Sequence, residues 1–514
     1  MSRRDVVKGI GAAAVAGAGA SSLDAKRPAA EKNSVAALLD SEDATGLAAL
    51  VRAKKVAAAE LLEAAISRAE ALNPRYNFLA QKLYEYGRAR AGSTPIDGVF
   101  AGVPWLIKDL NTHIKGERTG QGSRSYDNYR AEVTSELVRR HERAGLVIFG
   151  KTTTPEFGLT GTTESVAYGA TRNPWDETRT SGGSSGGASA AVAAGVVPMA
   201  HATDGGGSIR IPASCCGLFG LKPSRGRVPM GPPRTEGWAG LSAHHAITRS
   251  VRDSAALLDA TAGVEPGSRY GAPTLHRSFL EAMHRKGEPF KIALMTNAPA
   301  GTPVDPECVK AAQDTARLCE TLGHKVVEAA PKIDIAAMSF AQFVAIASNV
   351  AADVEDRAKL TGIDPTTVLE PITLGFVEMG KKFTARDFAR ANSAMQKIAI
   401  DVATFMADYD IILSPTLGQL PVKLGTINLS PPVSFEEWGR LASTFSPFTA
   451  LFNITGQPSA SLPLGQSRSG LPVGSMITAR YGEESSLFRL AAQLEEAAPW
   501  FDKIAPMRRL EQRK

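Results

Sequence analysis

Two glycine-flanked serines constrain the fold of this chain more than any other feature. Ser184 lies in the run GGSSGG, and Ser208 lies 24 residues later in DGGGSIR. An alanine-rich helical pattern at 188–194 and an apolar strand pattern at 196–201 separate the two serines. GGSSGG alone also describes a flexible linker. Here each glycine-rich turn adjoins a packed element, which favours a tight turn with an unusual backbone conformation.

The turn before Ser208 is suited to binding an oxyanion. Gly205, Gly206 and Gly207 let the backbone fold tightly and expose successive N–H groups beside the serine hydroxyl. Such N–H groups stabilise the negative charge that develops during acyl transfer. One alternative is a flexible surface loop, which the apolar segments on both sides argue against. The other is a phosphate-binding loop, but the G-x-x-x-x-G-K-[ST] motif does not accompany it.

An isolated lysine, Lys108, interrupts the apolar run GVPWLIKDL. Burying an unpaired ammonium group is costly, so a buried lysine has a lowered pKa and becomes a usable base near neutral pH. The alternatives are a lysine that extends from a strand end to solvent and one that pairs with Asp109. Two serines and a buried lysine supply the groups needed to cut an acyl bond without histidine, metal or cofactor.

Eight histidines offer a competing base. We do not expect a histidine base, because a Ser-His-Asp enzyme usually places its nucleophile in a G-x-S-x-G turn after a strand, and we assign no such turn. His244 and His245 either line a substrate channel or belong to a surface loop.

Composition and cysteine spacing exclude several classes of protein. With 514 residues, 43% apolar and 21% charged, the chain is typical of a globular enzyme. The net charge of +6 is scattered, so we expect no nucleic acid partner, and no later run of about 18 apolar residues predicts a membrane span. Cys215 and Cys216 lie in an apolar run, while Cys308 and Cys319 are about 16 Å apart on one predicted helix. We therefore expect no disulfide and no metal site.

Helix and strand patterns alternate through the middle of the chain, which predicts an α/β fold with buried strands. A helix is expected at 54–72, ended by Asn73-Pro74, and a strand at 104–107 that ends at Lys108. Strand patterns at 291–295 and 325–327 flank a predicted helix, and long helices follow. Residues 264–410 are therefore either a subdomain or a helical elaboration of the same sheet.

Residues 1–25 are expected to be a twin-arginine export signal. Arg3 and Arg4 precede a weakly apolar Gly/Ala stretch, with Ala18-Gly19-Ala20 as one cleavage site. The alternative is a disordered cytosolic tail. Residues 26–35 have the composition of a linker, and 36–514 are expected to form a single domain. An export signal implies a bacterial protein that is periplasmic or exported.

Taken together, these motifs resemble the amidase signature family of serine hydrolases. The resemblance begins near Lys54 and extends to the C-terminal region, and the central motifs are highly specific. It is carried by the runs GVPWLIKDL, GKTTTPEFG, GATRNPW, SGGSSGG, DGGGSIRIPASCCGLFGLKPSRGRVP, TRSVRDSAALLDATAG, PFTALFNITGQPSASLPLG and GLPVGSMITARYGEE. Within the family, the pattern is most similar to the branch of 6-aminohexanoate cyclic-dimer hydrolases. The implied fold is a large mixed β-sheet covered by helices on both faces.

The resemblance also implies roles for particular residues. Ser208 is expected to be the nucleophile, Ser184 a bridging serine whose peptide bond with Gly183 is cis, and Lys108 the base. The N–H groups of Gly205, Gly206, Gly207 and Ser208 are expected to form the oxyanion hole. A second pair, Asp204 and Arg210, is expected to hold the turn rather than to react.

The family implies hydrolysis of a carboxylic amide through an acyl-enzyme on Ser208, with no cofactor. The substrate is expected to be a small linear or cyclic amide, similar to a nylon oligomer, or an aryl amide. The alternatives are a carbamate or ester hydrolase on the same triad, a glutamine amidotransferase subunit, and a non-catalytic binding protein. We expect a small-molecule amide as the partner and no stable membrane insertion once the signal is removed. A homodimer is expected from the family alone.

Overall fold

The computed structural model describes residues 29–93, 96–274, 277–503 and 505. The expected export signal lies outside these residues. The helix Ala29–Ser41 covers residues 29–35 of the segment expected to be a linker. The helix contains alanine, glutamate, lysine and leucine and neither glycine nor proline, a composition that favours helix.

The helices and strands alternate along most of the chain. The helices are α1 Ala29–Ser41, α2 Ala44–Arg52, α3 Ala58–Tyr76, α4 Tyr84–Ala91, α5 Glu136–Arg143, α6 Gly186–Ala193, α7 Arg210–Cys216, α8 Val251–Thr261, α9 Phe279–Met283, α10 Pro306–Thr321, α11 Ile335–Thr361, α12 Pro365–Val368, α13 Pro371–Gly380, α14 Ala385–Phe405, α15 Phe435–Phe445, α16 Leu451–Ile454 and α17 Glu484–Ala497. The strands are β1 Leu79–Lys82, β2 Pro104–Lys108, β3 Val147–Thr152, β4 Glu164–Ser165, β5 Gly169–Ala170, β6 Arg172–Asn173, β7 Asp176–Thr180, β8 Met199–Asp204, β9 Phe219–Lys222, β10 Ala243–Thr248, β11 Lys291–Leu294, β12 Lys325–Glu328, β13 Ile411–Pro415, β14 Ser459–Gln466 and β15 Pro472–Ala479.

Eight strands form one mixed sheet in the order β12-β11-β13-β15-β14-β9-β10-β8. β11 runs parallel to β12 and β13, and the other neighbouring strands are antiparallel. β11 and β12 come from the segment 264–410, so its strands belong to the same sheet as the rest of the fold. The predicted mixed sheet is confirmed.

Helices cover both faces of this sheet, as two adjacent residues of β15 demonstrate. A Cβ on Gly474 would lie 2.6 Å from Oγ of Ser214 in α7, so this residue faces α7. The next side chain, Ser475 Oγ, lies 2.8 Å from Oγ1 of Thr315 in α10. Because successive residues of a strand face opposite sides of a sheet, α7 and α10 lie on opposite faces.

A second, smaller sheet places Lys108 next to the eight-stranded sheet. β1, β3 and β2 form a three-stranded sheet in which β2 and β3 are parallel. The N–H of Lys108, the last residue of β2, donates to Nδ1 of His201 in β8 at 3.2 Å. The end of β2 therefore adjoins the edge strand of the large sheet, where the turn containing Ser208 begins.

Some predicted boundaries were wrong. Helix α3 begins at Ala58 rather than at residue 54, continues past Pro74 and ends at Tyr76. Its C-cap, Asn77, has a left-handed φ of 53°. Pro74 removes one helical N–H, but the Asn77 N–H still donates to the carbonyl of Asn73 at 2.8 Å and closes the last turn. Strand β8 begins at Met199 rather than at residue 196. Pro198 cannot donate a ladder hydrogen bond, so pairing starts after it.

One described helix, α11, is long and apolar enough to cross a membrane by length and composition, which the sequence argument did not foresee. Its buried residues Ala341, Val344 and Ala345 pack in the same core cluster as Ile398 of α14. Apolar side chains of α11 therefore pack in the core of this fold, in one cluster with α14.

Candidate active site

Lys108 lies at the buried end of β2 and contacts two hydroxyl groups. Its Nζ is 2.7 Å from Oγ of Ser184 and 2.9 Å from Oγ1 of Thr203, and the side chain is fully buried. Burial lowers the pKa of Lys108 well below its ordinary value, and the carboxylate of Asp204 opposes this shift. A neutral amine in this position can accept a proton from a hydroxyl group.

The expected alternative, a pair between Lys108 and Asp109, is not what the structure contains. Asp109 Oδ1 lies 3.7 Å from Nζ of Lys151, on the neighbouring strand β3. The Asp109 carboxylate also accepts hydrogen bonds from the Gly120 N–H and from the hydroxyl of Tyr168, at 3.0 and 2.5 Å. The Asp109 carboxylate is thus bound by these three groups and does not pair with Lys108.

Ser184 occupies the turn that precedes α6. The peptide bond between Gly183 and Ser184 is cis, as expected. Glycine is required at position 183, because a Cβ there would collide with the backbone of Thr162. The hydroxyl of Ser184 reaches both Lys108 and the cavity described below.

A buried polar scaffold holds the turn that carries Ser208. The Asp204 carboxylate accepts the N–H groups of Gly207 and Ile209 at 2.7 and 3.1 Å, and it forms a two-point ion pair with Arg210 at 2.9 Å for each contact. Asn453 joins both, donating to Asp204 at 2.8 Å and accepting from Arg210 at 2.6 Å. Burial alone would raise the pKa of Asp204, but the Arg210 guanidinium holds it below its ordinary value. The pair shapes the turn, as predicted.

The N–H groups of the turn are not equivalent. The Gly207 N–H donates to Asp204 at 2.7 Å, so it is already hydrogen-bonded within the turn. Within the described ranges, the N–H groups of Gly206 and Ser208 have no protein acceptor. Gly205, Gly206 and Ser208 are therefore the remaining candidates of the four.

Both serines line a cavity of about 280 Å³. Four aromatic side chains and five charged residues are among those that line its wall. The aromatic residues are Tyr126, Tyr129, Phe157 and Trp238, and the charged residues are Arg234, Glu236, Asp353, Asp356 and Arg357. A cavity lined by aromatic side chains and a few convergent polar groups is typical of a small-molecule site.

Ser184, not Ser208, lies in a turn that matches the G-x-S-x-G pattern of Ser-His-Asp enzymes. The letters GGSSG at 182–186 do match a G-x-S-x-G turn, and β7 precedes them while α6 follows. The partner of Ser184 Oγ is nevertheless Lys108 Nζ at 2.7 Å. The conclusion that lysine is the candidate base therefore rests on this contact rather than on the missing motif.

Two residues of the site carried no readable signal in the sequence. Thr203 contacts Lys108 only because β8 lies beside β2, and Asn453 reaches Asp204 across 249 residues of chain.

All four cysteines are free and buried. In the described part of the chain, no group of three or more histidine, cysteine, aspartate or glutamate residues could hold a metal ion.

A buried lysine, a serine on a cis peptide bond and a glycine-rich serine turn lie around one cavity, which is the arrangement expected from the resemblance to amidases. Residues 60–488 match the Amidase family, so the chain belongs to that family. Its fold and its relatives assign it to amide C–N hydrolysis.

Particular relatives sharpen the comparison. The chain is 39% identical to 6-aminohexanoate-cyclic-dimer hydrolase of Paenarthrobacter ureafaciens over 474 residues, which are 89% of this chain and 95% of the relative. It is 38% identical to the putative amidase AmiC of Mycobacterium tuberculosis over 90% of this chain and 96% of the relative. A solved structure of 6-aminohexanoate cyclic dimer hydrolase complexed with substrate matches with a TM-score of 0.85 and 37% identity, covering 91% and 99% of the two chains.

Proposed function

We propose that this chain hydrolyses a carboxylic amide through an acyl-enzyme on Ser208, with Ser184 and Lys108 as the proton route. The observation that carries the proposal is the 2.7 Å contact between the buried Lys108 Nζ and Ser184 Oγ beside the cavity that Ser208 also lines. Burial lowers the pKa of Lys108, so the amine can be neutral at neutral pH and can act as a base.

The steps follow from these positions. Neutral Lys108 takes a proton from Ser184 as Ser184 takes one from Ser208, whose oxygen attacks the amide carbon. The N–H groups of Gly205, Gly206 and Ser208 stabilise the oxyanion. Ser184 and Lys108 return a proton to the leaving nitrogen, since an amide anion is a poor leaving group. Water then hydrolyses the ester on Ser208 by the same proton route.

Thr203 has a positioning role in this scheme. A neutral amine has two N–H donors and one lone pair. Donation of one N–H to Thr203 Oγ1 at 2.9 Å restricts rotation of the amine and helps to direct its lone pair at Ser184.

A small cyclic or linear diamide is the proposed substrate class, with 6-aminohexanoate cyclic dimer as the first compound to test. The support is the 39% identity to the hydrolase of that compound and a cavity of about 280 Å³. An aryl acylamidase of the same family is 28% identical with a TM-score of 0.82, so an anilide belongs in the same assay. A carbamate and an ester complete the panel, because the same acyl-enzyme chemistry would accept them.

The test compares the native chain with Ser208→Ala on that panel and labels both with a fluorophosphonate. We expect turnover and labelling of the native chain and loss of both in the variant. Labelling without turnover of any compound would reject the substrate class but keep the nucleophile. Labelling or turnover that persists in Ser208→Ala would reject Ser208 as the nucleophile.

We also propose that the protein is exported by the twin-arginine route and forms a homodimer. The first proposal rests on Arg3, Arg4 and the Gly/Ala stretch after them, and the second on family resemblance. Fractionation of cells that express the native chain or a variant with both arginines changed to lysine tests export. Light scattering of the purified protein tests the dimer.

A further inference from the structure

A chain of hydrogen bonds fixes the protons of two histidines beside the lysine. The backbone N–H of Lys108 donates to Nδ1 of His201 at 3.2 Å. A backbone N–H can only donate, so Nδ1 of His201 is an acceptor and carries no proton. Burial lowers the pKa of His201 well below its ordinary value, so the ring is neutral and its one proton is on Nε2.

The tautomer of His244 is fixed in the same way. Nε2 of His201 lies 3.2 Å from Nδ1 of His244. Because His201 donates there, Nδ1 of His244 accepts. Burial lowers the pKa of His244 to about 3, and the nearby Lys108 and His113 contribute to this shift. His244 is therefore neutral and has its proton on Nε2.

His244 faces the cavity. It lies directly opposite Thr203 in the pairing of β10 with β8, on the side of the sheet where Thr203 contacts Lys108. Its neighbour His245 faces the other side, where Nε2 lies 2.8 Å from Oγ of Ser254. His244 is among the residues that line the cavity, and Nε2 has no protein partner within the described ranges.

We propose that His244 binds substrate by donating its Nε2–H to a neutral carbonyl oxygen other than that of the scissile amide. This inference rests on the proposed function and deepens it, because it selects substrates that carry a second amide carbonyl. It also excludes His244 as the base, since its one lone pair points at His201 and its other nitrogen already carries a proton.

The charges around the cavity favour a neutral acceptor over a carboxylate. Three carboxylates line the wall, those of Glu236, Asp353 and Asp356, against the two guanidinium groups of Arg234 and Arg357. Arg234 is paired with Asp353, and Arg357 lies over the ring of Tyr126 at 4.7 Å. Glu236 is in turn paired with Arg269, so most charges of the wall are already neutralised. A carboxylate would have to displace one of these partners to be neutralised, whereas an amide carbonyl would not.

The test uses two chromogenic anilides that differ by one group: the p-nitroanilide of a straight alkanoic acid and its analogue with an amide within the acyl chain. His244→Phe should lower kcat/KM for the diamide about tenfold, the effect of one lost hydrogen bond, and leave the simple anilide within about twofold. His244→Gln, whose side-chain N–H₂ can donate, should recover most of the loss. His245→Gln is the matched control. It should change kcat/KM for the two anilides by the same factor relative to the native chain.

Equal losses on both anilides in His244→Phe would overturn the inference, because the donor would then act on the scissile carbonyl or on the fold. No loss on either would overturn it as well. Fluorophosphonate labelling of Ser208 separates these outcomes from failure of the proposed function, since it is expected to persist in every His244 variant.

A measurement on the native chain avoids any effect of substitution on folding. With selectively ¹⁵N-labelled histidine, assigned through His244→Gln, the His201 and His244 rings should both have the nitrogen shifts of the neutral Nε2–H tautomer. An Nδ1–H tautomer or a protonated ring at His244 at neutral pH would overturn the inference.

Discussion

Two fully buried lysines on neighbouring parallel strands, Lys108 of β2 and Lys151 of β3, have different surroundings. Lys151 Nζ lies 3.7 Å from the Asp109 carboxylate and donates to the carbonyl of Arg118 at 2.5 Å and to Thr119 Oγ1 at 2.8 Å. Lys108 contacts two hydroxyl groups and forms no ion pair within the described part of the chain.

The comparison shows that burial alone does not make a base. Burial lowers the pKa of Lys151 to about 8, with Asp109 opposing the shift, so its charge is largely retained at neutral pH. Burial lowers the pKa of Lys108 well below its ordinary value, and the charge of Asp204 opposes this shift without forming an ion pair with Lys108 in the described part of the chain. A lysine between hydroxyls is suited to proton transfer, and a lysine beside a carboxylate is suited to holding neighbouring loops together.

The strongest test of this contrast is Lys108→Met, which keeps the length of the side chain and removes the amine. We expect kcat to fall by about 10³-fold or more, within the range of general acid–base catalysis, with the unfolding midpoint nearly unchanged. Steady-state assays and urea unfolding measure both. Activity within tenfold of the native chain would remove Lys108 from the proton route.

The matching change on β3, Lys151→Met, should act on stability. It leaves the buried Asp109 carboxylate without its cation, which should lower the free energy of unfolding by about 3–5 kcal/mol. Urea unfolding measures the loss. The double variant with Asp109→Asn should be more stable than Lys151→Met alone, and a double variant that is less stable would contradict the role of this pair.

The pH dependence of kcat/KM gives a third test. Lys108 acts as a base only when it is unprotonated, so the rate should fall about tenfold per pH unit below its pKa and reach a plateau above it. Because burial lowers that pKa, the plateau should begin far below pH 10.5, the ordinary lysine pKa. A rate that still rises steeply toward pH 10 would show that Lys108 is not perturbed as the structure requires.

The smallest expected effect is that of Thr203→Val, which removes the acceptor that orients the Lys108 amine. We expect kcat to fall about threefold to tenfold with KM unchanged, the size of one net hydrogen bond. Thr203→Ser retains the hydroxyl and should recover the rate. If valine and serine behave alike, the effect comes from packing rather than from the hydrogen bond.

Residues close together in the chain were predicted well. Ser184 and Ser208 lie in local motifs whose glycines are readable, and the strand that ends at Lys108 was predicted to within one residue. Element ends were less predictable where one residue decides them, as at Pro74 and Pro198. The glycine-rich turn before Ser208 was recognised as a unit, but the sequence did not indicate that the Gly207 N–H donates to Asp204.

The sequence by itself determined which chemical groups this protein brings to its site: two serines in glycine-rich turns and one lysine in an apolar strand. The tertiary structure decided their state. The low pKa of Lys108, its orientation by Thr203 and the tautomers of His201 and His244 all arise where β2, β8 and β10 meet. Burial and hydrogen bonds between strands distant in sequence set those properties, and no local pattern of residues encodes them.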